Sequence, residues 1–172
     1  IAVNLRDKDE LVNVVYTAGN DLLLIATKKG MAVKFKEDDL REMGRNASGV
    51  RGIRLRDKDE VVSLVKVSDD MTLLTATENG YGKKTKVEEY RLIRRGGGGV
   101  INIKTSERNG NIVSVKCVNE NDDIIFITEK GIVMRTKVKE ISVIGRNTSG
   151  LRLIKLNSGD KLKSIAKVVN EE

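Results

Sequence analysis

Short apolar runs of strand length recur along the chain, separated by polar stretches dense in glycine and charge. Leu22 to Ala26 is such a run, a turn signal follows at Lys29-Gly30, and apolar and polar positions alternate from Ala32 to Phe35. Alternation on either side of a tight turn predicts a β-hairpin, because successive side chains of a strand face opposite sides. The same words return at a spacing of 50 or 51 residues, as Ala26-Thr27-Lys28-Lys29-Gly30, Ala76-Thr77-Glu78-Asn79-Gly80 and Ile127-Thr128-Glu129-Lys130-Gly131. Of the three turns Asn79-Gly80 is the strongest hairpin signal, since both residues tolerate the left-handed backbone of a two-residue turn. Nineteen residues after these glycines stand Gly49, Gly99 and Gly150. Val50 to Leu55 and Val61 to Val67 are again rich in β-branched residues and strand-sized. Four short strands per unit is the count of a propeller blade.

The period also sets the domain organisation. Leu5-Arg6-Asp7-Lys8-Asp9-Glu10 recurs unchanged as Leu55-Arg56-Asp57-Lys58-Asp59-Glu60. Residues 1–20 therefore read as the tail of a preceding blade, and 21–70, 71–121 and 122–172 as three whole blades. The expectation is a single repeat domain, excised from a longer array. A unit of about 50 residues cannot bury its own apolar face and must stack on its neighbours, so the core is expected between blades. Helix finds little room: the patch Asp38 to Met43 is a turn or two long and ends at Gly44. No apolar run approaches membrane-spanning length or resembles a signal peptide, which predicts a soluble all-β domain with no membrane partner. With a lone cysteine, Cys117, and no histidine, a disulfide framework is excluded and a zinc or haem site has too few ligands. A single thiol also fits a reducing cytoplasm.

Charge changes the picture. The net charge of +7 is a mild hint of an anionic partner, but its distribution is uneven. Residues 41–56 hold Arg41, Arg45, Arg51, Arg54 and Arg56 against Glu42; residues 91–106 hold Arg91, Arg94, Arg95 and Lys104 with no acid; residues 142–157 hold Arg146, Arg152 and Lys155 with no acid. Twelve cations against one acid give these equivalent segments +11 of a total of +7, so the rest of the chain is net acidic. In a stacked array equivalent loops emerge on equivalent edges, and one basic segment per unit becomes a curved row of cations. Gly44, Gly49, Gly52, the run Gly96 to Gly99, Gly145 and Gly150 would let a phosphate approach main-chain N–H groups.

A row of that kind suits a polyanion with regular charge spacing. The basic segments carry no aromatic platform for stacked bases beyond their neighbour Tyr90, which disfavours a single-strand binder. There is no recognition helix for a major groove and little Asn or Gln for base edges. What remains is contact with the duplex backbone coupled to bending, as in wrapping proteins.

Several motifs in fixed order carry a resemblance. Gly44-Arg45-Asn46-Ala47-Ser48-Gly49-Val50-Arg51-Gly52-Ile53, Thr77-Glu78-Asn79-Gly80-Tyr81-Gly82-Lys83-Lys84-Thr85, and Gly145-Arg146-Asn147-Thr148-Ser149-Gly150 with Leu151-Arg152-Leu153-Ile154 resemble the C-terminal domain of the DNA gyrase A subunit. The resemblance covers essentially the whole chain. It implies a β-pinwheel, a propeller-like disc whose blades exchange strands, with duplex DNA wrapped around a basic perimeter. It further implies a place in an A2B2 complex, with the gyrase B subunit beside the remainder of the gyrase A chain. There, in the bacterial cytoplasm, the holoenzyme uses ATP and Mg to introduce negative supercoils. The fragment itself is expected to hold no cofactor, metal or catalytic residue. The family's box, Gln-Arg-Arg-Gly-Gly-Lys-Gly, aligns with Ile93 to Gly99, which keeps Arg94, Arg95, Gly96, Gly97 and Gly99 but lacks the glutamine and the lysine. The family's usual five or six blades also exceed the three and a half units found.

Arg45, Arg95 and Arg146, each four residues before an equivalent glycine, are the foremost candidates for DNA contact. With them stand Arg51 and Arg152, the row Arg54, Lys104 and Lys155, and Arg91 and Arg94. Residues 51 and 54 are three apart, so strand alternation points them to opposite faces unless a bulge intervenes near Gly52. Lys28, Lys29, Lys83, Lys84, Arg135 and Lys137 are secondary candidates beside the hairpins, where solubilising edge charge explains them equally well. Tyr16, Tyr81 and Tyr90 are expected to be packing residues, and the acids at Asp57, Asp59, Glu60, Asp122 and Asp123 to be turn residues. Two alternatives stay open: the corresponding domain of topoisomerase IV, touching DNA without strong wrapping, and a propeller-type scaffold for an acidic protein partner.

Overall fold

The structure, a computed structural model, describes residues 2–168. Eleven strands and three single-turn 3₁₀ helices make up its regular structure: β1 (Leu22–Thr27), β2 (Met31–Lys36), β3 (Val61–Val67), β4 (Thr72–Thr77), β5 (Tyr81–Lys86), β6 (Val100–Ile101), β7 (Ile112–Val118), β8 (Asp123–Thr128), β9 (Val133–Lys137), β10 (Leu151–Arg152) and β11 (Leu162–Val168). The helical turns are Glu37–Asp39, Val87–Glu89 and Val138–Glu140, each directly after the second hairpin strand. The all-β expectation and the three hairpins are met. Each hairpin closes with the glycine N–H donating to the carbonyl three residues earlier: Gly30 to Thr27, Gly80 to Thr77 and Gly131 to Thr128.

Two of the sheets have four strands, in the orders β3-β1-β2-β6 and β10-β5-β4-β7; the third has three, β11-β8-β9. All pairings between these strands are antiparallel. The fourth strand of each complete sheet is borrowed. β6 belongs by sequence to the second repeat but pairs with β2 of the first, and β10 belongs to the third but pairs with β5 of the second. These borrowed strands are two residues long, not six as the apolar spacing predicts, and Val50 to Leu55 forms no strand. The physical reason is that such a segment becomes a strand only against the hairpin of the preceding repeat. Among the described residues the segment at 50–55 has no preceding hairpin, and Leu11 to Thr17, the counterpart of β3, is likewise without strand structure.

Strand exchange puts the core between repeats. One buried cluster joins Leu24, Ala26 and Val65 of the first repeat to Leu73, Val87, Tyr90, Ile103 and Ile112 of the second. Another joins Leu74 and Ala76 of the second to Phe126, Val138, Ile154 and Leu162 of the third. A third packs Ile93 and Ile101 of the second repeat against Val33, Phe35 and Ile53. Tyr90 is fully buried as expected; its hydroxyl donates to Asn102 Oδ1 at 2.6 Å, and Asn102 Nδ2 donates to Thr75 Oγ1 at 3.1 Å. Burial pushes the Tyr90 phenol above its ordinary value, so it acts as a donor throughout the physiological range. Tyr16 departs from the packing expectation, at 89% exposed, because the segment that carries it has no sheet to join.

Candidate nucleic-acid interface

The borrowed strands create the basic loops. Leu92 bridges Lys34 in parallel, Ile93 N–H donates to Lys34 O at 2.9 Å, and the chain then reverses to pair Val100 and Ile101 antiparallel with Ala32 and Met31. Residues 94–99 are the excursion between these two contacts, on the open side of β2. The return requires glycine at position 99: its φ is +75°, and a Cβ there would lie 2.4 Å from the Ala32 carbonyl oxygen. In the third repeat, Val143 and Ile144 contact Lys84 and β10 pairs with β5, so residues 145–150 make the same excursion.

Each loop is hydrogen-bonded to the basic segment of the repeat before it. Gly96 N–H donates to Gly52 O at 2.6 Å and Arg54 N–H to Gly97 O at 2.8 Å; Lys104 N–H donates to Thr148 O at 2.8 Å. Asn4, the counterpart of Arg54 in the N-terminal tail, donates from Nδ2 to Asn46 O at 3.0 Å. The basic segments 41–56, 91–106 and 142–157 are thus joined in series.

The candidate cations separate into groups. Arg45, Arg51, Arg54, Arg91, Arg94, Lys104, Arg152 and Lys155 are exposed. With half-buried Arg95 and Arg146 they share one property: none of the ten forms an ion pair among the described residues. Arg51 and Arg54 are both exposed, so neither points inward; the strand on which opposite facing would rest does not form. Arg95 and Arg146 spend part of their guanidinium capacity internally. Arg95 donates from Nε to Asp39 O at 2.9 Å and from Nη1 to Arg51 O at 3.2 Å, and Arg146 donates from Nη1 to Ile101 O at 2.9 Å. Both anchor their loops to the preceding repeat.

The secondary candidates are largely committed elsewhere. Lys28 pairs with Glu60 at 3.0 Å, Lys84 with Glu120 at 2.6 Å and Arg135 with Asp123 at 2.5 Å. Lys29 donates to the Asp57 carbonyl at 2.7 Å, while Lys137 is exposed. Lys84 is the counterpart of Lys34, which is also buried and paired, with Asp69 at 2.7 Å. The acidic turns take up main-chain donors: Asp59 Oδ1 accepts from Lys29 N–H and Glu60 N–H, and Asp122 Oδ2 accepts from Asn119 N–H. Among the described residues no cluster of acids and cysteine could hold a metal ion.

Lys83 is committed to main-chain carbonyls of the next repeat. It is 1% exposed, stands where the neighbouring repeats have Val33 and Met134, and donates from Nζ to Gly145 O at 2.7 Å and Arg146 O at 2.5 Å. It therefore pins the start of the third basic loop. Burial lowers its pKa from 10.5 to about 7, with Glu89 opposing the shift and Arg146 adding to it. An unfolded lysine keeps its proton to about pH 10, so between roughly 7 and 10 the unfolded chain binds more protons and stability rises with pH. Over that window we expect the stability gap between the native chain and Lys83→Met to move by about 1–3 kcal/mol in favour of the native chain. Denaturant titrations at pH 7 and pH 9.5 measure this, and a gap independent of pH would contradict the assignment.

Comparison with known proteins accounts for this arrangement. A profile described as "DNA gyrase C-terminal domain, beta-propeller" matches residues 1–18, 21–68, 72–119 and 122–168. The chain belongs to the DNA gyrase C-terminal domain family. The DNA gyrase A subunit of Halalkalibacterium halodurans is 59% identical over 171 residues, which are 99% of this chain and 20% of that protein. The chain spans about a fifth of the length of the curated gyrase A subunits it matches. A solved DNA gyrase A C-terminal domain superposes with a TM-score of 0.90 at 28% identity, over 98% of this chain and 58% of that one. The C-terminal domain of DNA topoisomerase IV does so with 0.91 at 29% identity, over 97% of this chain and 52% of that one. The gyrase family's propeller thus extends to this chain, whose own sheets add the detail of which strands cross between repeats.

Proposed function

We propose that this chain binds duplex DNA through its joined basic segments and bends it into a wrap, as a domain of a gyrase A subunit. The single observation that carries this reading is the serial joining of three acid-poor segments, each bonded to the next, with ten cations that no carboxylate among the described residues pairs with. Bending a duplex by 40–90° over a short site costs on the order of 1–6 kcal/mol, more than one basic loop can offset. Three loops in a row make enough phosphate contacts, and each contact also releases condensed counterions. The repeat is therefore a mechanical requirement of the function.

In that role the domain does no covalent chemistry. It sets the handedness of the DNA crossing offered to the remainder of a gyrase complex, which has ATP and the B subunit, in the cytoplasm. Gyrase is favoured over topoisomerase IV by the curated relatives, DNA gyrase A subunits that match nearly the whole chain at 44% and 59% identity. An acidic protein partner is disfavoured because the three basic segments carry no aromatic anchor.

Binding of a linear duplex of about 60 base pairs, titrated with salt, tests the reading. With about 6–10 phosphates neutralised, affinity is expected to fall roughly 10³–10⁵-fold between 50 and 200 mM salt, with little dependence on sequence. Affinity insensitive to salt would contradict it.

A further inference from the structure

Tyr81 occupies a position that differs from its equivalents. In the first repeat the corresponding ladder pair is Met31 with Ile101, two apolar residues; in the second it is Tyr81 with Arg152. The third repeat has Ile132 there. Tyr81 is partly exposed, contrary to its expected packing role, and two guanidinium groups converge on it. Arg152, from the borrowed strand β10, donates from Nη2 to the Tyr81 hydroxyl at 3.3 Å, with its Cζ 5.7 Å from the ring centroid. Arg108 reaches the same ring from the second repeat's own chain, with its Cζ 4.8 Å from the centroid. The two Cζ atoms are therefore no more than 10.5 Å apart, the sum of those distances.

Arg108 is absent from the sequence-based candidates because it lies outside the period. Its turn, between Ser106 and β7, is one residue longer than the equivalent turns before β3 and β11. That turn is held in place: Asn79 Nδ2 donates to Glu107 O at 3.0 Å and Arg108 O at 3.2 Å, and Asn109 Nδ2 donates to Lys104 O at 2.8 Å and Ser149 O at 2.9 Å. The Asn109 bonds tie the turn to both the second and the third basic segments. Neither Arg108 nor Arg152 has a carboxylate partner among the described residues. Two exposed, unneutralised guanidinium groups held against one ring repel each other, and an anion between them relieves that repulsion. Guanidinium supplies paired N–H donors that match the two non-bridging oxygens of a phosphodiester.

We propose that Tyr81, Arg108 and Arg152 form a seat for a backbone phosphodiester of duplex DNA, built across the junction of the second and third repeats. It rests on the DNA-wrapping reading and adds to it a site found at one junction and not at the other. Tyr81 is the positioning residue: its ring carries both guanidinium groups and its hydroxyl orients Arg152. The two arginines also draw the phenol below its ordinary pKa, Arg152 through its hydrogen bond first.

The test is salt-titrated binding of the same linear duplex by the whole chain carrying Arg108→Ala, Arg152→Ala, both, Tyr81→Phe or Tyr81→Leu. Each arginine variant is expected to weaken binding roughly fivefold to tenfold at 0.1 M salt and to reduce the slope of log affinity against log salt by about one. The double variant should reduce it by about two. Tyr81→Leu should weaken binding without removing a charge, and Tyr81→Phe, which keeps the ring, should weaken it less. Arg108 lies in an exposed turn, so its variant reports on binding independently of folding. Native affinity and slope in both arginine variants, in a chain that binds duplex steeply with salt, would overturn the seat and leave the wrapping reading intact. Failure of the native chain to bind duplex would overturn both.

Discussion

Replacing Arg45, Arg54, Arg91, Arg94, Lys104 and Lys155 together by glutamine is expected to lower affinity for linear duplex DNA about 10³-fold or more at moderate salt. The slope of log affinity against log salt should fall by about five, since each lost phosphate contact removes roughly 0.9. These six are chosen because they are exposed and have no carboxylate partner among the described residues. For the same reason the substitutions should leave stability nearly unchanged, surface changes of this kind falling within about 0.5 kcal/mol each. Fluorescence anisotropy at several salt concentrations, with a parallel denaturant titration, measures both quantities. Arg95→Gln with Arg146→Gln should behave differently, because those guanidinium groups hold carbonyls of the preceding repeat. There the loss should appear in loop order and in the wrap more than in the salt slope.

The second large effect concerns the fold. Gly80→Ala is expected to destabilise the chain by about 2–5 kcal/mol, whereas Gly131→Ala, at the equivalent hairpin turn, should cost only about 1–2. Both glycines have left-handed backbone, with φ +79° and +82°, so both substitutions incur the same local strain. They differ in what lies beside them. A Cβ on Gly80 would stand 2.6 Å from the Ile154 carbonyl oxygen, in the segment that follows β10, whereas one on Gly131 meets nothing within 4 Å. Gly80 O also accepts from Leu153 N–H at 2.8 Å and Ile154 N–H at 3.1 Å. The difference between the two variants therefore measures how tightly the third repeat is clasped to the second. Equal losses at the two positions would mean that the exchanged segment can shift aside without cost.

That clasp marks the boundary of what the sequence shows. Hairpins are local, and the alternation around Lys29-Gly30, Asn79-Gly80 and Lys130-Gly131 is sufficient to place them. Strand exchange is not local. Because the repeats share one pattern, a segment such as Val100-Ile101 fits the hairpin of its own repeat or of the preceding one equally well, and only packing decides. The same degeneracy explains the overestimated strand at Val50 to Leu55. At the interface, the concentration of charge in one segment per repeat was legible because charge can be counted. Which cations are free was not: Lys83 and Lys84 read as edge lysines, yet one holds the carbonyls of the next loop and the other is buried against Glu120. Arg95 and Arg146 read as foremost candidates for DNA contact, yet both turn partly inward. Tyr81 with Arg108 escapes a search by period, since both depart from it.

If the proposed wrap forms, the joined basic segments impose a handed path on the duplex. Nicked circular DNA sealed by ligase in the presence of the chain, then freed of protein, reports this directly as a trapped linking difference. The topoisomer distribution is expected to be displaced to one side in proportion to bound protein, with the displacement lost in the six-residue glutamine variant. A distribution identical to that of DNA sealed alone, at protein concentrations where binding is saturated, would contradict it.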